Sequence, residues 1–487
     1  LGIFRDSNIN GLEAMYDKEL AGENGRRVVQ KSTGGLWVPV DGSEADPVNG
    51  RDIVTTLDMD VQAVAHDALL SNLRKYECKY GTCIVMEVAT GKIRTLVNLG
   101  RKDDDSVYQE IFNYATIPTE PGSTFKLVTL TALLSEKYIS VDNTVDIQGG
   151  RRQFANRVME DSHPNAALRE MPIWKAYAIS SNVGMAKLAD QYFHDHPEKY
   201  VGHLRRLGLD KPTGIDLMGE RKSRVMGPES KMWSKTSLPW MAIGYGVQIT
   251  PLHTCMLYNA VANDGKIMKP YLVSGIKEYG KVVREVKPTV LGTLGDEEVV
   301  RQLRKCTRAV VTEGTGKDIA SPYYSMSGKT GTAQVADKGI RYTDGVYQGS
   351  YVGYMPAENP RYTICVVIRT KAHSSAYYGG TIAAPVFRMV ADKIFSRNMG
   401  AWSTPLDSMA RTATGVLPSR AATASAYEIL LGSLKRRMPL PVEKGSAIVQ
   451  VVNDTARNAS IAVHQVYMGI MPDVSGMTLK EAVFMLE

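Results

Sequence analysis

The spacing of apolar residues predicts a helix and a strand hairpin in the first hundred residues. A strand-like stretch at 52–57 is followed by Asp58, which precedes apolar residues at helical spacing and is therefore predicted to cap a helix. The apolar positions of this helix are Val61, Val64, Ala65, Ala68 and Leu69. Two apolar runs at 82–88 and 93–97 flank a glycine-containing turn, which indicates a hairpin of buried strands.

Further along the chain, helical patterns surround a second pair of strands. Apolar runs at 349–354 and 362–369 predict two strands, and helical spacing resumes at 384–395. Strands flanked by helices at both ends favour an α+β domain in which helices pack on an antiparallel sheet. Between the two strand pairs, a helical pattern over 172–192 is interrupted by the polar cluster Ser180-Ser181-Asn182.

Composition divides the chain into four parts. Residues 1–52 are polar and glycine-rich and predict a small N-terminal appendage, while 53–400 carry the patterns of the main domain. Residues 401–470 read as a linker, rich in Ser, Thr, Ala and Pro, followed by a small segment with a possible strand after residue 446. Residues 471–487 open a strand–turn–helix unit that stops at Glu487.

The two ends of the sequence suggest a fragment. The chain starts at Leu1 rather than at methionine, and it stops within a helical pattern. It contains no signal peptide and no apolar run long enough to span a bilayer. We therefore expect that an N-terminal membrane anchor has been removed.

Charge and cysteine content narrow the function classes. A net charge of +7 over 487 residues, with no tract of lysine and arginine among aromatic residues, argues against a nucleic-acid partner. Five cysteines without a C-x-x-C pair predict buried free thiols and not a disulfide framework or a zinc site. The sequence predicts neither a metal nor a cofactor.

The candidate chemistry begins at residues 121–126, Pro-Gly-Ser-Thr-Phe-Lys. Ser123 falls where an apolar helix begins, and Lys126 lies three residues later on the same helical face, so we predict that its amine adjoins the serine hydroxyl. A serine becomes a nucleophile when a base takes its proton, and a lysine with a lowered pKa is such a base. Taken alone, this pair also fits an ordinary helix cap beside an exposed lysine.

Two further polar clusters follow in order, Ser180/Asn182 and Lys329-Thr330-Gly331-Thr332. The order S-x-x-K, S-x-N, K-T-G resembles the signature of penicillin-binding proteins and serine β-lactamases. Flanking stretches resemble the class B, monofunctional transpeptidase branch: 11–17, 120–126, 213–217, 243–246 and 328–333. Residues 471–487 resemble the start of a PASTA module. The resemblance implies a penicillin-binding transpeptidase or serine β-lactamase-like fold, with 1–52 as a pedestal or dimerisation segment and 53–400 as the transpeptidase domain.

The resemblance also implies a role for each polar residue. Ser123 would attack the carbonyl of a D-alanyl-D-alanine stem peptide, Lys126 would be the general base, and Ser180 would relay the proton to the leaving amine. The other implied roles concern binding. Asn182 would hold Lys126 and the substrate amide, and Lys329 would lower the Lys126 pKa and attract the substrate carboxylate. Thr330 and Thr332 would bind that carboxylate, Gly331 would leave room for the peptide along the strand edge, and the backbone N–H groups of Ser123 and Thr332 would hold the oxyanion.

Two other functions stay open at the sequence level. One is a β-lactamase or β-lactam sensor on the same fold, and the other is a catalytically silent wall-binding scaffold. For the transpeptidase, the resemblance implies peptidoglycan stem peptides and β-lactam antibiotics as ligands. It also implies two kinds of partner, a separate glycosyltransferase and membrane proteins of the division complex. The catalytic domain would lie in the periplasm and would be held by a single-pass anchor in the inner membrane.

Overall fold

A computed structural model describes residues 11–102, 107–336 and 339–398, together with three strands between 422 and 464. The chain divides into two compact units, 1–397 and 398–487. Each unit is described by itself.

The first unit contains helices of very different length, several of them only one turn. In chain order they are α1 (Gly11–Met15), α2 (Asp17–Leu20), α3 (Met59–Lys75), α4 (Lys126–Ser135), α5 (Ile173–Ala178), α6 (Asn182–Phe193), α7 (Pro197–Arg206), α8 (Ser237–Met241), α9 (Pro251–Ala262), α10 (Glu297–Thr312), α11 (Gly379–Ile382) and α12 (Ala384–Arg397). Asp58 caps α3 as predicted, because its side chain accepts hydrogen bonds from the backbone N–H groups of Asp60 and Val61.

The strands of the first unit form one large sheet and several small ones. In chain order they are β1 (Val29–Lys31), β2 (Trp37–Pro39), β3 (Asp52–Thr55), β4 (Tyr80–Glu87), β5 (Ile93–Gly100), β6 (Thr144–Asp146), β7 (Arg151–Phe154), β8 (Arg157–Glu160), β9 (Glu170–Pro172), β10 (Arg224–Val225), β11 (Val247–Gln248), β12 (Lys266–Met268), β13 (Val273–Glu278), β14 (Lys281–Glu285), β15 (Val290–Thr293), β16 (Ser327–Gln334), β17 (Tyr347–Met355) and β18 (Tyr362–Arg369).

A five-stranded antiparallel sheet organises this unit, in the order β16-β17-β18-β4-β5. Its strands are buried along nearly their whole length because helices cover both faces. Along β18, Cys365 faces α9, where its thiol lies 3.6 Å from the Pro251 carbonyl, and Ile368 faces the opposite side, beside Gly81 and the α3 side chain Leu69. The predicted α+β fold with helices on an antiparallel sheet is confirmed.

Strand β16 lies at one edge of the large sheet, paired only with β17 among the described strands. This position matters because an edge strand leaves one side of its backbone open to an added strand. The cluster Lys329 to Thr332 lies in the middle of β16.

The first residues that the structure describes belong to the main core. Leu12 and Tyr16 are buried within it, and the Tyr16 hydroxyl donates to Asp216 Oδ2 over 2.9 Å. The Asp216 carboxylate also accepts from the backbone N–H groups of Leu272 and Val273. Two of the flanking stretches singled out in the sequence therefore meet in a structural contact, although two hundred residues separate them.

In the second unit the structure describes an antiparallel sheet of β19 (Ala422–Thr423), β20 (Ile448–Thr455) and β21 (Asn458–His464). The strand expected after residue 446 is thus present. Most of the predicted linker at 401–445 and the PASTA-like stretch at 471–487 lie outside the described residues.

Two further features of the described residues concern the cysteines and the length of the helices. All five cysteines are buried and unpaired, which confirms the predicted free thiols. No helix in the described ranges is both long enough and apolar enough to cross a bilayer.

Candidate active site

The turn that carries Ser123 is a 3-10 helix from Gly122 to Phe125, and α4 begins at Lys126. Ser123 therefore lies inside the first turn and makes no side-chain cap there, so its predicted capping position is wrong. The reason is that the tight 3-10 turn starts at Gly122, one residue before the serine, with φ of 56°. The turn leaves the Ser123 side chain half-buried at the wall of a cavity.

Two glycines allow this turn to lie close to its neighbours. A Cβ atom at Gly122 would come within 2.9 Å of the Thr332 carbonyl oxygen, so the turn lies directly against β16. On its other side, the Gly122 N–H donates to the Gly244 carbonyl, and a Cβ atom at Gly244 would lie 2.2 Å from the Gly122 oxygen. Backbone touches backbone on both sides, which only glycine permits.

Lys126 is fully buried, and its amine is surrounded by oxygen atoms. Nζ lies 2.7 Å from the Ser180 carbonyl oxygen, 2.7 Å from Asn182 Oδ1 and 3.1 Å from Ser180 Oγ. The Ser123 hydroxyl is not among its hydrogen-bond partners in the described chain, so the predicted direct pair with Lys126 is absent from this structure. The amine is instead held by the residues of the second cluster, Ser180 and Asn182.

The polar break between α5 and α6 produces this clamp. Ser180 adopts a left-handed backbone conformation with φ of 63°, which is uncommon for a residue other than glycine and is typical of functional sites. Ser181 caps α6 by accepting from the Gly184 N–H. Asn182 donates its side-chain NH₂ to the Glu160 carbonyl, and this contact turns Oδ1 towards Lys126.

Asp161 is a site residue that sequence reasoning missed. Its Oδ1 accepts from the backbone N–H groups of Asn182 and Val183, at 2.6 and 2.9 Å, and so fixes the first turn of α6. Its charge also acts on Lys126. No local signal marks this residue, because it stands twenty-one positions before Asn182 and reaches the helix from the end of a hairpin.

The third cluster uses both faces of β16. Successive strand residues point to opposite faces, so Lys329 and Gly331 share one face while Thr330 and Thr332 share the other. Thr330 and Thr332 line the cavity. The Lys329 side chain runs beneath it, fully buried, with Nζ 5.6 Å from the centre of the Tyr177 ring. The three clusters named in the sequence thus converge.

The structure shows a reason for having glycine at position 331 that the sequence did not predict. A Cβ atom there would lie 2.2 Å from Ser350 Oγ and 2.9 Å from the Thr124 methyl group. Glycine is needed because the protein itself fills this space, while the predicted room for a peptide along the strand edge stays a prediction. A further missed residue is Thr315, whose hydroxyl lies 2.6 Å from that of Thr330.

Burial controls the ionisation of both lysines. It lowers the pKa of Lys126 to about 7, while the Asp161 carboxylate opposes the shift. Burial also lowers the pKa of Lys329, and the charge of Lys126 adds to this effect. Removal of the amine from water is therefore the main cause of the lowered Lys126 pKa, and the predicted effect of Lys329 on it stays a prediction.

A carboxylate fixes the loops around the turn. Glu120, just before the Pro-Gly-Ser turn, accepts from the Gly246 N–H at 2.9 Å and from the Tyr342 hydroxyl at 3.1 Å. The Tyr342 ring packs edge-on against Tyr245, whose hydroxyl accepts from the Gln334 N–H. Burial raises the pKa of Glu120. The turn, the loop after α8 and the end of β16 are thus joined.

The resulting cavity holds about 1110 Å³ and presents members of all three clusters: Ser123, Ser180, Asn182, Thr330 and Thr332. The Ser123 hydroxyl and the threonine hydroxyls of an edge strand line it, and two further lining residues, Ser180 and Asn182, hold the buried Lys126 amine, whose pKa is near neutrality. Among the described residues, no group of three His, Cys, Asp or Glu side chains is placed to hold a metal ion. This is the residue set of a serine acyl-transfer site with a lysine base.

The family follows from comparison with known proteins. Residues 81–392 match the model of the penicillin binding protein transpeptidase domain, and the chain belongs to this family. Similar curated proteins include the penicillin-binding protein PbpB of Mycobacterium tuberculosis, 29% identical over 409 residues, and the peptidoglycan D,D-transpeptidase FtsI of Escherichia coli K12, 28% identical over 393 residues. The matches cover 80% and 78% of this chain, but only 58% and 62% of those relatives.

Solved structures agree. The apo crystal structure of penicillin binding protein 3 from Mycobacterium tuberculosis is similar with a TM-score of 0.68 at 28% identity, covering 83% of this chain and 89% of that one. The same protein complexed with ampicillin gives a TM-score of 0.67 at 27% identity, covering 82% and 86%. The predicted penicillin-binding transpeptidase fold is confirmed.

Proposed function

We propose that this chain is a peptidoglycan D,D-transpeptidase that cross-links stem peptides through an acyl-enzyme on Ser123. The observation that carries the proposal is the buried Lys126 amine, held by Ser180 and Asn182 at the wall of the cavity that Ser123 lines. Ser123 Oγ attacks the carbonyl between the two D-alanines, the C–N bond breaks, and the terminal D-alanine leaves. An acceptor amine then attacks the ester, forms the new amide and frees Ser123.

The oxygen atoms around Lys126 direct its lone pair. The Ser180 carbonyl and Asn182 Oδ1 can only accept hydrogen bonds, and each is 2.7 Å from Nζ. A neutral amine has two hydrogens, which these two acceptors satisfy. Its lone pair then turns towards hydroxyl groups, namely Ser180 at 3.1 Å and the nucleophile Ser123 when substrate is bound. This supports Lys126 as the base and Ser180 as the relay to the leaving amine.

Strand β16 supplies the binding groups. A C-terminal carboxylate at the hydroxyls of Thr330 and Thr332 would lie above the buried Lys329 and would favour the charged form of that amine. The backbone N–H groups of Ser123 and Thr332 would hold the developing oxyanion, since Gly122 brings the turn against Thr332.

Labelled penicillin followed by intact mass tests the proposal. The wild type is expected to form a long-lived adduct, and Ser123→Ala to form none. Rapid turnover of the adduct would identify a β-lactamase. Absence of an adduct on the wild type would contradict the catalytic assignment and favour a silent wall-binding scaffold. That the solved Mycobacterium tuberculosis relative is complexed with ampicillin supports this choice of probe.

The acylation rate is expected to rise with pH around neutrality. Burial lowers the pKa of Lys126 to about 7, so the amine is mostly protonated at pH 6 and mostly neutral at pH 8. Only the neutral form accepts the serine proton. Stopped-flow acylation of the wild type should therefore give a rate that increases roughly tenfold from pH 6 to pH 8, and a flat profile over this range would contradict the base role.

Asp161→Asn provides the matched control for that profile. The Asp161 carboxylate raises the Lys126 pKa against the effect of burial. The amide keeps one oxygen for the N–H groups of Asn182 and Val183 but removes the charge. The midpoint of the acylation profile should therefore move to lower pH, and an upward shift would show that the charge balance around Lys126 is misassigned.

We further propose that the full-length protein crosses the inner membrane once and that this part of it lies in the periplasm. It would serve septal wall synthesis together with a separate glycosyltransferase and membrane proteins of the division complex. The class B flanking motifs and the PASTA-like stretch at 471–487 support this. A fluorescent fusion of the full-length protein should concentrate at the septum. An even distribution along the wall would contradict the septal role.

A further inference from the structure

One face of the hairpin formed by β7 and β8 carries two arginines and two buried apolar side chains. Arg152 pairs with Met159 and Phe154 with Arg157 across the hairpin, so these four side chains project from the same face. Phe154 and Met159 are buried. Arg151 and Glu160 form an ion pair at 3.1 Å on the opposite face.

The two arginines are held by aromatic rings and not by carboxylates. The Arg157 guanidinium lies 5.0 Å from the centre of the Trp240 ring, and that of Arg152 lies 5.0 Å from the centre of the Phe154 ring. Trp240 and Phe154 pack edge-to-face, so the four residues form one continuous surface, which we call the arginine face. Arg157 is exposed and Arg152 is half-buried, and neither arginine has an ion-pair partner among the described residues.

The arginine face adjoins one end of the active-site cavity. Gly150 and Asp161, immediately before and after the hairpin, line the cavity. The Trp240 carbonyl accepts from the Tyr245 N–H, and Tyr245 lines the cavity beside Gln334. The charge of Arg157 acts on the Tyr342 hydroxyl, which lies beside Tyr245. The nearby Glu120 carboxylate is already bound by Gly246 and Tyr342.

The proposed acyl transfer fixes the direction in which the donor peptide extends. Its terminal carboxylate lies near Thr330 and its scissile carbonyl near Thr332, so residues earlier in the peptide continue towards Gln334. At roughly 3.3 Å per extended residue, one or two residues ahead of the scissile bond reach the end of β16. The side chains and branch groups of those residues would meet the arginine face.

We propose that the arginine face binds a carboxylate group on the donor peptide, one or two residues ahead of the D-alanyl-D-alanine bond. The inference rests on the proposed transpeptidase function and adds the substrate feature that this end of the cleft selects. Guanidinium groups suit it because they bind carboxylates through paired N–H donors while they remain stacked on aromatic rings.

Two synthetic donor peptides that end in D-Ala-D-Ala test this inference. They differ only in carrying carboxylates or carboxamides on the two residues ahead of the scissile bond. Each is titrated as a competitor of labelled penicillin on the wild type, and the ratio of the two inhibition constants is measured. We expect the acid peptide to bind about 5–10-fold more tightly, as for two partly exposed charge pairs, with a smaller ratio in high salt.

The variant Arg152→Gln/Arg157→Gln should bring this ratio close to one, while it keeps most of the side-chain stems on the aromatic rings. Because the ratio is taken within each variant, a change in overall reactivity does not affect it. Arg151→Ala is the matched control on the opposite face and should keep the wild-type ratio.

Two results would overturn the inference: equal or absent protection by the two peptides on the wild type, or an acid preference that persists in the double variant. A wild type that takes no penicillin label would instead overturn the proposed function.

Discussion

Replacing Lys126 with methionine is expected to lower the rate of Ser123 acylation by about 10²–10⁴-fold, the range for loss of a general base. Methionine has nearly the length and volume of the lysine stem, so the fully buried channel stays filled. What is lost is the Nζ atom that the Ser180 carbonyl and Asn182 Oδ1 surround. Without it no group takes the serine proton. Stopped-flow measurement with labelled penicillin gives the rate.

Lys126→Arg separates a base from a mere positive charge. Arginine keeps a cation in the same place, but its very high pKa keeps it charged, so it cannot accept a proton at neutral pH. If Lys126 acts as the base, both variants lose acylation to a similar degree. An arginine variant that reacts at nearly the wild-type rate would show that the site requires only charge. Urea unfolding of both variants checks that the fold is retained, because the methionine variant leaves two half-buried acceptors without the amine, at a cost of at most about 1–3 kcal/mol each.

The elements that the sequence predicted well are those with strong local patterns. The helix capped by Asp58, the first hairpin and the break at residues 180–182 all depend on neighbours within a few positions. The same holds for the serine, lysine and threonine clusters, which each form a recognisable short motif. The resemblance of these ordered motifs to a family signature was enough to name Ser123, Lys126 and Lys329 as candidates, although not to place one against another.

What could not be predicted depends on contacts between distant segments. Asp161 is an ordinary aspartate in the sequence, and only the packing of its hairpin brings it to the first turn of α6. Thr315 meets Thr330 because α10 and β16 lie side by side. The direct pair of Ser123 and Lys126 was predicted from helical spacing, but the Lys126 amine is bound instead by Ser180 and Asn182, which come from a distant segment.

The glycines show most clearly why such contacts escape sequence reasoning. In the sequence, Gly244 and Gly246 look alike, as two glycines that flank Tyr245. Both have left-handed backbone conformations, with φ of 91° and 71°. Only the structure shows that Gly244 touches the backbone of the Gly122–Phe125 turn, while Gly246 faces open space.

Gly244→Ala is therefore expected to remove acylation almost completely and to destabilise the fold by about 3 kcal/mol or more, from overpacking added to backbone strain. The new Cβ atom would lie 2.2 Å from the Gly122 oxygen, and that atom belongs to backbone that cannot rotate away. Relief requires the Gly122–Phe125 turn to shift, which moves Ser123 away from Lys126 and Thr332. Penicillin labelling and urea unfolding measure the two effects.

Gly246→Ala is the matched control, since it imposes the same kind of strain two residues away and no clash. It should lower the free energy of unfolding by only about 1–2 kcal/mol, the usual penalty of an alanine in the left-handed conformation. It also keeps the N–H group that donates to Glu120. Acylation should therefore stay within a few-fold of the wild-type rate. If the two variants lost acylation equally, backbone strain in the loop would explain the effect, and the contact between Gly244 and the Gly122–Phe125 turn would not be what positions Ser123.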